Sequence, residues 1–253
     1  LGYSHFAALT EQGHPRTVGT SSSGELALGH KLNVDGYFII PNITFDSVSC
    51  AELFTIAMKG NTAWSWGLNS CGQLGLGDHK KRLVPTPIET HKFKSAIARG
   101  SRVIGIDEDN NALSWGLNRC GQLGLGLRTD LDNILEPTPI PNHKFSKIYC
   151  GANHTFGADL EQNVWVWGHN RNGQLGLGDY EDRFSPTLLP EHQFVDIVAQ
   201  SRYSICVKSN GTVWSCGYNK YGELGLGDNE NRNTFTMIEG FRVSQNNTKS
   251  ARK

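Results

Sequence analysis

Short runs in which apolar and polar residues alternate recur along the whole chain. The clearest stretch starts at Phe145. Phe145 to Gly151 reads as a strand and a turn, and His154 to Leu160 alternates as a second strand. Glu161 to Asn163 is a hairpin turn, and Val164-Trp-Val-Trp-Gly168 is a third strand. Ser185-Pro-Thr-Leu-Leu189 is a fourth, at an edge, because Pro186 has no N–H to give to a ladder. A period of two with β-branched and aromatic residues predicts strands. No segment carries a helical stripe of three turns, so helix is expected to be minor.

The four-strand unit repeats. A phrase Gly-x₄-Gly-(Gln/Glu)-Leu-x-Leu-Gly runs from Gly19 to Gly29, Gly67 to Gly77, Gly116 to Gly126, Gly168 to Gly178 and Gly217 to Gly227. Its leading glycines are 48, 49, 52 and 49 residues apart. Four short strands in about 50 residues is one blade of a β-propeller. Phe45, Phe93, Phe145, Phe194 and Phe241 open the same element, and the continuation missing after Phe241 is supplied by Gly2 to Leu9. The expectation is an all-β, closed five-bladed β-propeller with four short antiparallel strands per blade. The C-terminal strand is expected to join the N-terminal blade and close the ring. Residues 1–245 form one domain in this reading and residues 246–253 a polar, frayed tail; a fragment of a longer propeller is the alternative.

The repeat residues divide by physical role. Gly67, Gly116, Gly168 and Gly217, with Gly72, Gly121, Gly173 and Gly222, stand where positive φ or close backbone approach is needed. Trp66, Trp115 and Trp167, and Leu74, Leu123 and Leu175, are expected in the core. If the Leu-x-Leu stretches are extended, both leucines point into one seam. The first unit departs from the others, with Arg16 and Val18 at the Trp positions after Pro15, so its strand is expected to be irregular. Arg16 either snorkels over apolar neighbours or marks an altered face. A phosphate-binding loop is a poor reading of these glycines, since no Lys-Ser/Thr follows them.

Charge narrows the function. The chain has 24 Lys plus Arg and 24 Asp plus Glu, for zero net charge, which argues against a general nucleic-acid or membrane-surface binder. No apolar run reaches the roughly 18 residues of a membrane span, and Leu1 to His5 lacks the features of a secretory signal. The six cysteines fall at repeat positions without zinc-like spacing, which predicts reduced thiols and a cytosolic setting. Asp78, Asp179 and Asp228 share one repeat position, each in its own blade, and are expected to cap turns. No metal, cofactor or covalent catalytic residue is assigned.

The run Trp66-Gly-Leu-Asn-Ser-Cys-Gly-Gln-Leu-Gly-Leu-Gly77 resembles the regulator of chromosome condensation repeat family. It recurs at Trp115 to Gly126 and Trp167 to Gly178, and as Cys216 to Gly227 with Glu223 for Gln. The family phrase Gly-x-x-His is matched at Gly2 to His5 and at Gly151 to His154; Val18 and Ala27 are departures in the first unit. The resemblance implies a protein-binding propeller that engages a small GTPase, Ran foremost, and promotes its nucleotide exchange; a scaffold without exchange activity is the alternative. The usual seven blades of the family set a five-bladed count apart. Short members among proteins that intracellular bacteria inject into host cells imply a host-cytoplasmic setting. Membrane attachment would require a lipidated tail beyond residue 253.

The binding residues are sought in the loops after the Leu-Gly-Leu-Gly steps, where length and charge vary while the strand phrases stay nearly constant. These loops bring Lys80, Lys81 and Arg82, then Arg128, Asp130, Leu131, Asp132 and Leu135, then Glu181, Asp182 and Arg183, and finally Glu230 and Arg232. Their mixed charge suits a protein surface better than a phosphate backbone, so the partner is expected to be a protein, bound by a monomer. The 127–136 loop is longer than its equivalents, but no insertion is long enough for the wedge that the archetypal exchange factor uses.

Overall fold

The computed structural model describes residues 2, 4–126, 133–190 and 194–243. It has eighteen strands and, among the described residues, no helix. The first unit's strands are β1 (His5–Leu9), β2 (Pro15–Gly19) and β3 (Val34–Ile39). The second unit contributes β4 (Ser47–Cys50), β5 (Phe54–Lys59), β6 (Thr62–Gly67) and β7 (Arg82–Pro87), and the third β8 (Ser95–Arg99), β9 (Arg102–Ile106) and β10 (Asn111–Leu117). The long β11 (Asn133–Cys150) is followed by β12 (His154–Asp159), β13 (Val164–Gly168) and β14 (Arg183–Leu188). The last are β15 (Phe194–Ala199), β16 (Tyr203–Lys208), β17 (Thr212–Gly217) and β18 (Arg232–Arg242).

The sheets are antiparallel, with neighbours in chain order: β1-β2-β3, β4-β5-β6-β7, β15-β16-β17-β18, and a seven-stranded run from β8 to β14. That run is two four-strand sets sharing β11, which pairs β10 with its first residues and lies beside β12. The hairpin expected at 161–163 is present, and Asp159 explains it. Its carboxylate accepts the backbone N–H of Glu161 and Asn163 and the Trp165 indole N–H at 2.8–2.9 Å, while Gln162 takes φ 68°. Asp107 does the same for Asp109 and Asn111.

By contact density the chain forms two compact units, Leu1–Arg119 with Leu125–Phe145, and Cys120–Gly124 with Ser146–Lys253. In the first, Phe54, Leu74, Phe93, Val103 and Trp115 pack into one core cluster, and Trp66 joins Ala27, Ile40 and Phe45 in another. In the second, Phe156, Val166, Leu175, Cys206, Cys216 and Phe235 pack together. Trp66, Trp115 and Trp167 are wholly buried, as are Leu74, Leu123 and Leu175. Each buried indole also needs a partner for its N–H. Trp66 donates to Glu25 O (2.9 Å), Trp115 to Gln73 O (3.1 Å) and Trp167 to Gln122 O (3.1 Å). The acceptor is always the Gln or Glu of the preceding Leu-Gly-Leu turn. Each repeat is thereby pinned to the one before it.

The Leu-x-Leu stretches are turns, not strands. Gly72 N donates to Asn69 O and Gly75 N to Gly72 O, with φ between 71° and 77° at Gly72, Gly75 and Gly77. Three left-handed glycines coil the chain, so Leu74 is buried while Leu76 is only partly covered. Gly75 is forced by packing as well, since a Cβ there would stand 2.7 Å from the Trp115 indole nitrogen.

One expectation for the first unit needs revision. The strand after Pro15 is regular: β1 and β2 pair without a break from His5↔Gly19 to Leu9↔Pro15. Pro15 opens the strand, and its carbonyl accepts Ile40 N at 2.9 Å, so its missing N–H breaks no ladder. At the other end, Arg242 pairs with Thr212 of β17, and among the described residues β1 pairs with β2 alone. The closing segment expected at 241–245 extends beyond the described residues, as does the tail at 246–253.

Candidate functional site

The loops that follow Gly77, Gly178 and Gly227 share one architecture. In the second repeat Asp78 Oδ1 accepts Lys80 N (2.8 Å), and Arg82 reaches back to Asp78 Oδ2 (3.0 Å) and to Lys80 O (2.5 Å). Asp179 with Arg183 and Asp228 with Arg232 repeat the pair at 2.5 Å. Their carboxylates accept Glu181 N and Glu230 N at 2.9 Å. These aspartates therefore cap turns, as the sequence predicts. The Arg82 guanidinium holds the Asp78 carboxyl below its ordinary range. At Asp179 burial pushes upward, but hydrogen bonds from Arg183 and Glu181 N outweigh it and the net shift is downward.

A buried asparagine anchors each loop. Asn69 donates to Asp78 O (2.7 Å) and Lys80 O (3.1 Å) and accepts Leu74 N (2.9 Å), and Asn170 and Asn219 make matching bonds. A buried carboxamide with its donors and acceptor all satisfied fixes the loop's path. This locking residue was not singled out from the sequence, although the fixed Trp/Cys-Gly-x-Asn phrase was its signal.

Two classes of candidate residue separate once these bonds are placed. Arg82, Arg183 and Arg232 are loop braces. Asp182 is also committed, its Oδ1 accepting Asn170 N at 2.7 Å. Leu135 lies against Gly72, where a Cβ would come within 2.6 Å of its Cδ2, and its carbonyl accepts Gly77 N. Lys80, Lys81, Glu181 and Glu230 are exposed. The braces hold the carbonyls of Lys80, Glu181 and Glu230, and Arg183 and Arg232 also pair with the Glu181 and Glu230 carboxylates at 4.0 and 3.6 Å. Lys81 has the side chain of Lys31 next to it, which lowers its affinity for a proton. Arg128, Asp130, Leu131 and Asp132 lie outside the described residues.

In the second unit, His154 is buried with Nε2 at 2.9 Å from Ser204 Oγ. The Ser204 hydroxyl donates to Gln174 O (2.8 Å), so it must accept from the histidine, which places the ring proton on Nε2. This histidine ties a strand to a turn and is scaffold. His5 has the same place in the first unit, with Nε2 at 2.9 Å from Thr55 Oγ1. Burial pushes its pKa below the usual value, against a smaller opposing effect of Glu25.

One metal-like constellation occurs among the described residues. A ligand atom from each of Cys120, His169 and Asp182 lies within 4.8 Å of the other two. Its hydrogen bonds do not fit a metal. Gln174 Oε1 accepts Asn172 N (3.0 Å), which turns its amide N–H toward His169 Nδ1 at 2.7 Å. With Nδ1 accepting, the neutral ring carries its proton on Nε2, and neither nitrogen offers a free lone pair. Asp182 is likewise held by Asn170 N. His169 and Asp182 are thus committed to hydrogen bonds with neighbouring groups of their own repeat.

The repeats have known counterparts. The description Regulator of chromosome condensation (RCC1) repeat matches residues 61–103, 109–158, 161–207 and 210–245, with a second profile of the same description over 145–174. The ultraviolet-B receptor UVR8 of Arabidopsis thaliana is 32% identical over 192 residues, covering 72% of this chain and 43% of UVR8. The regulator of chromosome condensation of Xenopus laevis is 30% identical over 148 residues, 56% of this chain and 35% of that protein. Among solved structures, yeast RCC1 (Prp20) bound to Kap60 superposes with TM-score 0.84 at 20% identity, over 94% of this chain and 59% of that one. Human WBSCR16 gives 0.80 at 20% identity, over 94% and 65%. The chain thus spans less than half the length of these curated relatives and about six tenths of the solved ones. Family matches over most of the residues, carried by the same Trp-Gly-x-Asn and Gly-Gln-Leu-Gly-Leu-Gly phrases that lock the loops, show that the chain belongs to the RCC1 repeat family and is built from its propeller blades.

Proposed function

We propose that the chain is a protein-binding propeller that engages a small GTPase, Ran foremost, through the braced loops after its Leu-Gly-Leu-Gly turns. The observation that carries the reading is the division of labour in those loops. The Asp–Arg pairs and the buried asparagines fix the backbone, and Lys80, Lys81, Glu181 and Glu230 are presented on it in the open. Lys80 and Lys81 stand on a fixed backbone, and Glu181 and Glu230 lean on Arg183 and Arg232, so ordering these charges against a partner costs little entropy. Support at the family level comes from a structure of Prp20p of Saccharomyces cerevisiae described with its binding to Gsp1p and histones, similar to this chain with TM-score 0.81 at 21% identity.

Nucleotide exchange is the stronger form of the proposal. It needs steric and electrostatic displacement of the bound nucleotide and no covalent step, so it requires no catalytic dyad. A scaffold that binds without exchange is favoured by one observation, the lack of a wedge-sized insertion in any loop. The test is release of labelled GDP from Ran and from a panel of small GTPases, with and without the chain, beside a pull-down. Accelerated release supports exchange, binding without acceleration supports the scaffold, and no binding to any of them overturns the reading. The same reading places the chain in a reducing, cytosolic setting, in keeping with six free thiols, of which Cys206 and Cys216 have pKa values pushed far up by burial.

A further inference from the structure

The fourth strand of a blade is an open edge, and most repeats of this chain guard it with proline. Thr86, Thr138 and Thr187 pair inward with the third strand, so the residues on either side of each direct their backbone nitrogens outward. Those neighbours are Pro85 and Pro87, Pro137 and Pro139, and Pro186 with Leu188. Proline at an outward position removes the donor that another strand would use. In the first unit the inward residue is Phe38, paired with Thr17, and the outward pair is Tyr37 and Ile39. Ile40 N, one step further, donates inward to Pro15 O, which confirms the alternation. β3 therefore carries an outward N–H at Tyr37, where three other repeats have proline, and a second at Ile39, where two of those three have it. β18 also lacks the prolines; its outward residues are Phe235 and Met237, and the Phe235 ring is turned in and buried in the second unit's core.

The side chains of this edge are open and apolar, and the charged residues of the adjoining cleft are Arg16 and Glu11. Tyr37 is 67% exposed, Phe38 44% and Ile39 49%. Arg16 stands directly across from Ile39 on β2, is exposed, and occupies a position where the other repeats have Trp or Leu. Arg16 and Tyr37 line a cleft of about 470 Å³ together with Phe6 and Leu9. A residue added opposite Ile39 would share the face of Ile39 and Arg16, two strand spacings (about 9.6 Å) from β2, within joint reach of an arginine and a glutamate.

We propose that β3 is a docking edge for an extended strand of a partner protein, held by backbone hydrogen bonds at Tyr37 and Ile39 and selected by an acidic side chain facing Arg16. Backbone pairing supplies affinity and the side-chain face supplies selectivity, as in other strand-addition modes. None of Arg16, Tyr37 and Ile39 is among the loop residues offered to a GTPase, so strand docking and GTPase binding are tested by different variants.

The test uses the full chain and a fluorescent peptide probe, acetyl-Thr-Val-Thr-Glu-Thr-Val-Thr-amide, with a Glu-to-Lys version and one N-methylated at alternate backbone nitrogens. The expected result is binding by anisotropy with protection of the Tyr37 and Ile39 amides from hydrogen exchange, and at least about tenfold weaker binding of the Lys and N-methyl peptides. Tyr37→Pro installs the guard of the other blades, so it should keep the melting temperature and lose the probe. Arg16→Glu should invert the preference between the Glu and Lys peptides. Unchanged binding by a folded Tyr37→Pro protein, no binding at about 1 mM probe, no Glu-over-Lys preference, or self-association through β3 in sedimentation would each overturn the proposal.

Discussion

The ring of Phe235 lies against Gly176, where a Cβ would stand 2.5 Å from its edge carbons, in the seat that the Trp115 and Trp167 indoles take over Gly75 and Gly124. The fifth repeat has Cys216 at the Trp position, and its Sγ still points at the matching acceptor, Gln174 O, at 3.5 Å. The lost indole volume is returned from β18, where Phe235 stands at a position that is proline in three other repeats. The two departures from the repeat are thus one event. Restoring only one should fail: Cys216→Trp overfills the site and is expected to cost about 1–3 kcal/mol. Adding Phe235→Pro should recover most of that. Urea unfolding of the two single variants and the double closes the cycle, and additive effects would sink the coupling.

The indole-to-turn bond predicts a larger penalty in the middle of the first unit. Trp115→Ala removes a wholly buried ring and leaves Gln73 O without its donor, for an expected loss of about 3–5 kcal/mol. A shift of under about 1 kcal/mol in denaturant unfolding would show that the contact is dispensable.

Backbone conformation gives a prediction with no hydrophobic component. Gly121 has φ 74°, and a Cβ there would lie 2.7 Å from both Arg183 O and Phe184 Cα. Gly121→Val meets a forbidden φ and a backbone clash together, so at least about 3 kcal/mol is expected, whereas Gly29→Ala has nothing within 4 Å and keeps only the φ penalty of about 1–2 kcal/mol. Equal losses at the two sites would refute the packing half of the explanation.

Acid should destabilise the fold in two steps. Burial lowers the pKa of His5 and of His169, in each case against a nearby carboxylate, so the fold prefers the neutral rings. The unfolded chain binds their protons below about pH 6.5, so their contribution is whole above that pH and is lost as pH falls toward the folded values. Asp78 and Asp179 have depressed pKa values, so theirs is whole above about pH 4 and is lost below it. Melting temperatures from pH 8 to 3 should show both declines, and His5→Gln with His169→Gln should flatten the first. An upper limb with unchanged slope in that double variant would rule the histidines out.

Much of the blade was legible in the sequence because its determinants are local. Alternation placed the strands of the fourth unit, and the turns capped by Asp78, Asp179 and Asp228 followed from their shared repeat position. Burial of Trp66, Trp115 and Trp167 followed from their periodic places. The Leu-x-Leu runs misled, since two apolar residues two apart resemble a strand until three positive-φ glycines coil them. The rim misled in another way. Arg82, Arg183 and Arg232 look like free surface charge, but an aspartate four residues earlier claims each of them. That pairing could have been read from the recurring Asp-x₃-Arg spacing at Asp78, Asp179 and Asp228. The seat of Phe235 over Gly176 lies beyond any local pattern, because it joins residues 59 apart whose departures make sense only together.

The braces also sharpen the test of the rim. Reversing Arg82 or Arg183 would collapse a loop and lower binding whatever the partner touches, so those variants cannot identify a contact. Lys80→Glu with Lys81→Glu, and Glu181→Lys with Glu230→Lys, leave each Asp–Arg pair in place; the second also removes the exposed Glu contacts of Arg183 and Arg232, and each should change stability by no more than about 1 kcal/mol. Asp130→Lys with Asp132→Lys probes the long loop in the same way. If a GTPase docks on the rim, at least one of these double reversals should weaken its binding by about tenfold or more, and the loss should shrink as salt is raised. The measurement is equilibrium binding to Ran and the wider panel at two ionic strengths, with melting temperature as the folding control. Full-strength binding by all three folded variants would move the contact away from these loops and withdraw the rim as the site.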